Sequence, residues 1–147
     1  MITVTILGAG NVASHLYKAF KNAKNVTVKQ WYNRTYSDIS SYANEVDTID
    51  DLSQLEDADI YIMAVSDDSI ASLSRALPFE NRLVVHTSGT SALNSISEKQ
   101  RRGVFYPLQT FSKEAEVNWK TIPICIESEH KEALPLLQEL GNILSEN

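Results

Sequence analysis

Apolar and β-branched residues in this chain gather in short runs, and between them the apolar positions recur with helical spacing. Residues 2–7 (Ile-Thr-Val-Thr-Ile-Leu) form the first run and read as a strand. After a glycine-rich turn, Val12, Leu16, Ala19 and Phe20 fall on one face of a helix that runs out in the cationic stretch 21–25. A second strand is expected over 26–32. Next comes a helix capped by Ser37, with Ile39, Tyr42, Ala43 and Val46 on one face. A short strand over 46–49 and an acidic helical turn carrying Leu52 and Leu55 lead into 60–65 (Ile-Tyr-Ile-Met-Ala-Val). That run is apolar throughout, as expected of a parallel strand covered on both faces.

Asp67 and Asp68 would cap the next helix, with Ile70, Leu73 and Leu77 inward and Pro78 beyond its end. A buried strand over 82–86 is broken by Thr87-Ser88-Gly89-Thr90, and Leu93 and Ile96 mark one more helix. Residues 103–107 form a further short strand. Residues 122–126 read as an edge strand, because Pro123 cannot donate to a ladder. The last helix carries Leu136, Leu137, Leu140 and Ile143, and Pro135 must sit in its first turn or kink it. Strands alternating with helices imply a mainly parallel, doubly wound sheet with helices on both faces, joined by right-handed crossovers. In such α/β sheets a ligand lies at the carboxyl ends of the strands. The turns after Leu7, Tyr32, Val65, His86 and Tyr106 are therefore where chemistry is sought.

The first of these turns is the most informative. Gly8-Ala9-Gly10-Asn11-Val12-Ala13 has the spacing G-x-G-x-x-[GA] and stands between a strand and a helix, the order of a Rossmann-type phosphate-binding unit. Gly8 permits the tight turn, Gly10 lets the backbone approach a pyrophosphate, and Ala13 keeps helix and strand close. The helix-start N–H groups from Ala9 to Val12 then face the anion. The plainer reading is a strand–turn–helix corner without a ligand.

Composition narrows the partners. The 147 residues carry a net charge of −6 with a pI near 5.0, which argues against nucleic acid or an anionic membrane as the main partner. A hydrophobic content of 43% is enough for a sizeable core, and length alone predicts one domain over 1–147. No apolar run reaches the roughly 20 residues of a membrane span, and no leader is expected before the first strand. Cys125 is the only cysteine, so no intrachain disulfide is expected, which fits a reducing cytoplasm. His15, His86 and His130 lie far apart without a ligand-spaced companion, so no metal site is expected.

The second strand ends in Asn33-Arg34-Thr35, roughly 20 residues beyond Gly10, where an NAD site places an acidic residue. A guanidinium there matches a phosphate, and Asn and Thr add neutral donors. This composition favours NADP over NAD; a surface Arg in a turn is the alternative. The nine acidic residues from Glu45 to Asp68, with no Lys or Arg among them, read as a solvated face plus caps, though Asp67 or Asp68 could lie near a cofactor. His86-Thr87-Ser88 sits at a strand end where the nicotinamide half would lie, and Val65 ends the strand before another of these turns. His86 could hold a proton and Ser88 or Thr87 could hydrogen-bond a carbonyl; His86 and Ser88 are the candidate catalytic residues. The plainer reading of His86 is a hydrogen-bonded structural residue.

Taken together, Gly8-Ala9-Gly10-Asn11-Val12-Ala13, Trp31-Tyr32-Asn33-Arg34-Thr35, Ala64-Val65-Ser66-Asp67, His86-Thr87-Ser88-Gly89 and Pro107-Leu108-Gln109-Thr110-Phe111 resemble a bacterial family. It is the Rossmann-like family of NADP oxidoreductases with an appended C-terminal helical domain, related to pyrroline-5-carboxylate reductase and to deazaflavin-dependent NADP oxidoreductases. The resemblance implies NADP bound by Gly8, Gly10, Asn33, Arg34 and Thr35, with Ser66, His86, Thr87 and Ser88 lining the cleft. It also implies a small-molecule substrate and a homo-oligomer where the helical domain is present. Two positions depart from the pattern. Tyr106 stands where the family usually has His before the Pro-Leu-Gln-Thr-Phe motif, and the chain ends at Asn147, where family members continue. The expectation is a domain that binds NADPH, passes hydride only in a longer protein, and catalyses no sustained reduction of ketones or imines alone. A non-catalytic NADP(H) sensor is the rival. A methyltransferase is disfavoured by the missing carboxylate after the second strand.

Overall fold

Strand β1 (Ile2–Leu7) lies inside the sheet, third of seven strands, with a later strand of the chain paired on each side. The computed structural model describes residues 1–112 and 115–145. On one side β1 pairs in parallel with β2 (Val26–Tyr32), which pairs with β3 (Asp47–Ile49). On the other side it pairs in parallel with β4 (Ile60–Met63), followed by β5 (Leu83–His86) and β6 (Arg101–Pro107). The seventh strand, β7 (Ile124–Ser128), closes this edge antiparallel to β6. The order is β3-β2-β1-β4-β5-β6-β7, a Rossmann-type doubly wound sheet. The winding direction reverses between β1 and β4, so their carboxyl ends flank the crevice.

Helices α1 (Asn11–Lys21) and α3 (Leu134–Leu144) share one face of the sheet, and α2 (Asp67–Ala76) covers the other. Side chains alternate between two cores. Ile2, Val4 and Ile6 of β1, Ile60 and Ile62 of β4, and Leu83 and Val85 of β5 pack under Leu16, Phe20, Leu137 and Leu140. Leu7, Tyr61, Met63 and Val84 face the opposite side with Ile70 and Leu77. With both faces covered, the central strands read as unbroken apolar runs rather than alternating ones. Full burial of each such side chain is worth about 1.5–3 kcal/mol.

Four expectations are corrected. Between β2 and β3 there is no α-helix; two 3₁₀ turns, Tyr36–Asp38 and Ser40–Tyr42, take its place, although Ile39 and Val46 are buried as the pattern required. The reason is local chemistry: Ser40 Oγ donates to the Ser37 carbonyl, and Asn33 Nδ2 to the Asp38 carboxylate, competing with helical bonding. Residues Leu93–Ser95 are likewise a single 3₁₀ turn within a Ser/Thr/Asn-rich stretch. Ser66, not Asp67 or Asp68, occupies the N-cap of α2; the two aspartates fill its first turn, where the helix dipole favours them. Finally, β7 begins after Pro123, whose carbonyl accepts the N–H of Leu108. No helix among the described residues is long and apolar enough to cross a membrane.

Candidate functional site

The turn after β1 is held from three directions. Gly8 has φ +115°, which side-chain-bearing residues rarely adopt, and a Cβ there would lie 2.3 Å from the Ala64 carbonyl oxygen. Its N–H donates to the Tyr32 carbonyl at 2.8 Å, which ties the turn to the end of β2. Its carbonyl accepts from Trp31 Nε1 at 2.6 Å. Trp31 is fully buried, stacked on Tyr17 at 4.7 Å and against Tyr42 at 4.9 Å between centroids. In the sequence Trp31 is only part of a motif; its indole clamps the glycine turn through neighbours that the fold brings together.

Gly10 differs from Gly8 in what surrounds it. It is the N-cap of α1 and supplies no side chain to the helix-start N–H groups, and a Cβ there would meet nothing within 4 Å. Those N–H groups lack intrahelical partners by construction. They open on a groove of about 500 Å³ that runs along the strand ends, bounded by Gly8 to Val12, Asn33, Ala64 to Ser66 and Thr87. A second groove of about 300 Å³ joins it at Gly8, Asn33 and Val65 and ends between Arg34, Leu52 and α2 residues Ser69, Ser72 and Leu73. Arg34 is exposed, and no carboxylate among the described residues pairs with it. Tyr32 lines the same end; burial raises its phenol pKa, and the nearby Arg34 charge opposes the rise. Asn33 Nδ2 donates to the Thr35 carbonyl and to Asp38, which shapes the loop, while Thr35 lines neither groove.

The residues at the end of β5 divide. Thr87 faces the larger groove, whereas His86 and Ser88 line neither. His86 is fully buried, and its Nδ1 accepts the N–H of Ser88 at 3.0 Å. That leaves the hydrogen on Nε2, which donates to the Ala92 carbonyl at 3.1 Å. Both ring nitrogens are thus engaged within the turn. Ser88 Oγ accepts the N–H groups of Thr90 and Ser91 at 3.2 and 3.0 Å. Tyr106 packs beneath this turn: a Cβ on Gly89 would lie 2.5 Å from its ring.

Asp67 ties the turn to α2 by accepting from Thr90 Oγ1 at 2.8 Å. Hydrogen bonds from Thr90 and Ser88 hold its carboxyl below the ordinary 3.8. A carboxylate lowered on folding stabilises the native state above its ordinary pKa, and that contribution is lost as pH falls through the lowered value. The stability gap between the native chain and Asp67→Asn is therefore expected near neutrality and should close under acid. Thermal melts of both across that range check this, and a gap independent of pH would refute it.

One wall of the groove comes from the turn after Tyr106, the last of the five turns where the sequence places chemistry. Beyond β6, residues 108–112 turn back over the start of α1, where Asn11 Nδ2 donates to the Phe111 carbonyl at 3.2 Å. His15 Nε2 donates to the Ser112 carbonyl at 2.6 Å. Phe111 is buried between His15 and Trp119, at centroid distances of 5.2 and 5.4 Å, and it lines the larger groove together with Gln109. The Pro-Leu-Gln-Thr-Phe motif was the available signal, but a loop's partner cannot be read from spacing. Among the described residues no group of three His, Cys, Asp or Glu could hold a metal ion.

Fold and groove together define a Rossmann-type domain with a strand-end cleft. Comparison with solved structures agrees. The chain is similar over 98% of its length to a protein described as a putative NADP oxidoreductase from Bacteroides fragilis, at 34% identity and TM-score 0.86, covering 58% of that chain. An imine reductase from Myxococcus stipitatus in complex with NADP+ shares the fold at 17% identity and TM-score 0.74, over 97% of this chain and 52% of that one. Prephenate dehydrogenase from Aquifex aeolicus does so at 13% identity and TM-score 0.78, over 98% and 59%. The motif-based resemblance thus extends along nearly the whole chain, which spans somewhat over half the length of these proteins. No protein-family model and no curated protein matches the sequence.

Proposed function

We propose that the chain is the NADP(H)-binding domain of an oxidoreductase acting on a small carbonyl or imine. The observation that carries this reading is the helix start at Gly10, with no side-chain cap, opening on a groove that ends at the unpaired Arg34. A pyrophosphate fits the first feature by hydrogen bonding and helix dipole, and a 2′-phosphate fits the second by charge. In this reading Gly8 to Val12 hold the pyrophosphate, Asn33 and Arg34 the adenosine end, and Val65, Ser66 and Thr87 the path toward nicotinamide. When bound, the cofactor would supply the hydride chemistry through its nicotinamide ring, and the residues lining the groove would hold and orient it. The 34% identical relative described as a putative NADP oxidoreductase supports the same cofactor.

Arg34→Ala is expected to weaken NADPH binding on the order of ten- to a hundredfold, the scale of charge-assisted hydrogen bonds, and to leave NADH nearly unchanged. Calorimetric titration with both cofactors tests this. Equal affinities in the native chain, or equal losses in the variant, would contradict it.

A second reading, a non-catalytic NADP(H) sensor, is favoured by one observation: His86 and Ser88 are both engaged in holding their own turn. Single-turnover oxidation of bound NADPH against a panel of ketones and imines separates the two. Oxidation by any of them excludes the sensor.

A further inference from the structure

The groove has two ends of different chemistry. At the β2 end lies a guanidinium, suited to phosphate; at the β5–β6 end lie Thr87 and Gln109, both neutral. The Gln109 side chain is exposed and makes no hydrogen bond within the described chain, although its backbone N–H is taken by the Pro107 carbonyl. A free carboxamide offers one acceptor and two donors, which matches ribose hydroxyls and another carboxamide better than a phosphate. The segment carrying Gln109 is not left to wander, because Asn11 and His15 hold its next residues against α1 and Phe111 is buried beneath it. His15 is itself buried, and its bond to the Ser112 carbonyl is made across 97 residues of sequence.

We propose, on the NADP(H) reading above, that segment 108–112 is the nicotinamide-side wall of the groove. Gln109 reads the half of the dinucleotide beyond the pyrophosphate, and His15 is the positioning residue that holds the segment in place. The residues distinguishing a whole dinucleotide from its adenosine half are thus present in this chain.

The test titrates the native chain and its variants with two probes, NADPH and adenosine 2′,5′-bisphosphate, which carries the adenosine end alone. The native chain should bind NADPH more tightly than the bisphosphate. Gln109→Ala should raise the Kd for NADPH about five- to tenfold, the scale of one or two neutral hydrogen bonds, and leave that for the bisphosphate within about twofold. His15→Leu keeps the packing against Phe111 but cannot donate to Ser112, and should show the same selective loss. His15→Gln restores a donor and should recover NADPH affinity. A purely structural role for His15 would weaken both probes together and overturn the proposal, as would native-like NADPH binding in Gln109→Ala. If the bisphosphate binds but NADPH binds no tighter, the wall is refuted and the adenosine site stands. If neither probe binds the folded native chain, the NADP(H) reading falls and takes this one with it.

Discussion

Gly10→Val should fold like the native chain and lose NADPH binding by a hundredfold or more. A Cβ at this position meets no protein atom within 4 Å, so the fold has no reason to object. Gly10 borders the larger groove at the start of α1, so the branched side chain would occupy space where phosphate oxygens reach the helix N–H groups. Losing two such charge-assisted hydrogen bonds, at about 1.5–3 kcal/mol each, accounts for the size of the effect. Gly8→Ala should behave in the opposite way. Its φ of +115° and the 2.3 Å approach to the Ala64 carbonyl leave no place for a methyl group. Strain of about 1–3 kcal/mol in the backbone alone, before the clash, should lower the melting temperature by several degrees, at roughly 2–4 °C per kcal/mol. Circular dichroism melts and calorimetry on both variants separate the two roles. A Gly10→Val chain that titrates like the native one would mean that the pyrophosphate lies elsewhere.

Trp31→Phe should destabilise the chain and loosen the glycine turn at once. Its indole N–H is the donor to the Gly8 carbonyl, and the bond is buried. Leaving that carbonyl unpaired costs about 1–3 kcal/mol, and truncation to Ala, which also empties the stack against Tyr17 and Tyr42, about 3–5 kcal/mol. Urea denaturation should show the midpoint falling in the order native, Phe, Ala. NADPH affinity should fall in Trp31→Phe even under conditions where it is fully folded, because the peptide preceding the phosphate contacts is no longer oriented. A Trp31→Phe chain as stable as the native one would show that the stacked ring, not the hydrogen bond, carries the role.

Strand β1, the glycine turn and α1 were legible in the sequence because each depends on neighbours only a few residues away: β-branched alternation, glycine spacing and a 3.6-residue stripe. The apolar runs of β4 and β5 were legible too, since coverage on both faces removes polar positions altogether. Arg34 could be placed at the groove because its position follows from the length of one strand–helix–strand unit.

Other features belonged to the tertiary structure. The apolar stripe Ile39, Tyr42, Ala43, Val46 has helical spacing, yet it folds as 3₁₀ turns because Ser, Asp and Asn side chains bond locally and Ile39 finds its burial anyway. The composition of His86-Thr87-Ser88 suggested chemistry, but only the folded turn assigns Nδ1 to the Ser88 N–H and Nε2 to the Ala92 carbonyl. The clamp of Trp31 on Gly8 and the bonds from Asn11 and His15 to residues 111 and 112 join positions 23 to 100 residues apart. Spacing along a chain encodes what a residue meets within one turn or one strand. Which distant loop a buried indole or imidazole will meet is decided when the sheet brings its strand ends together.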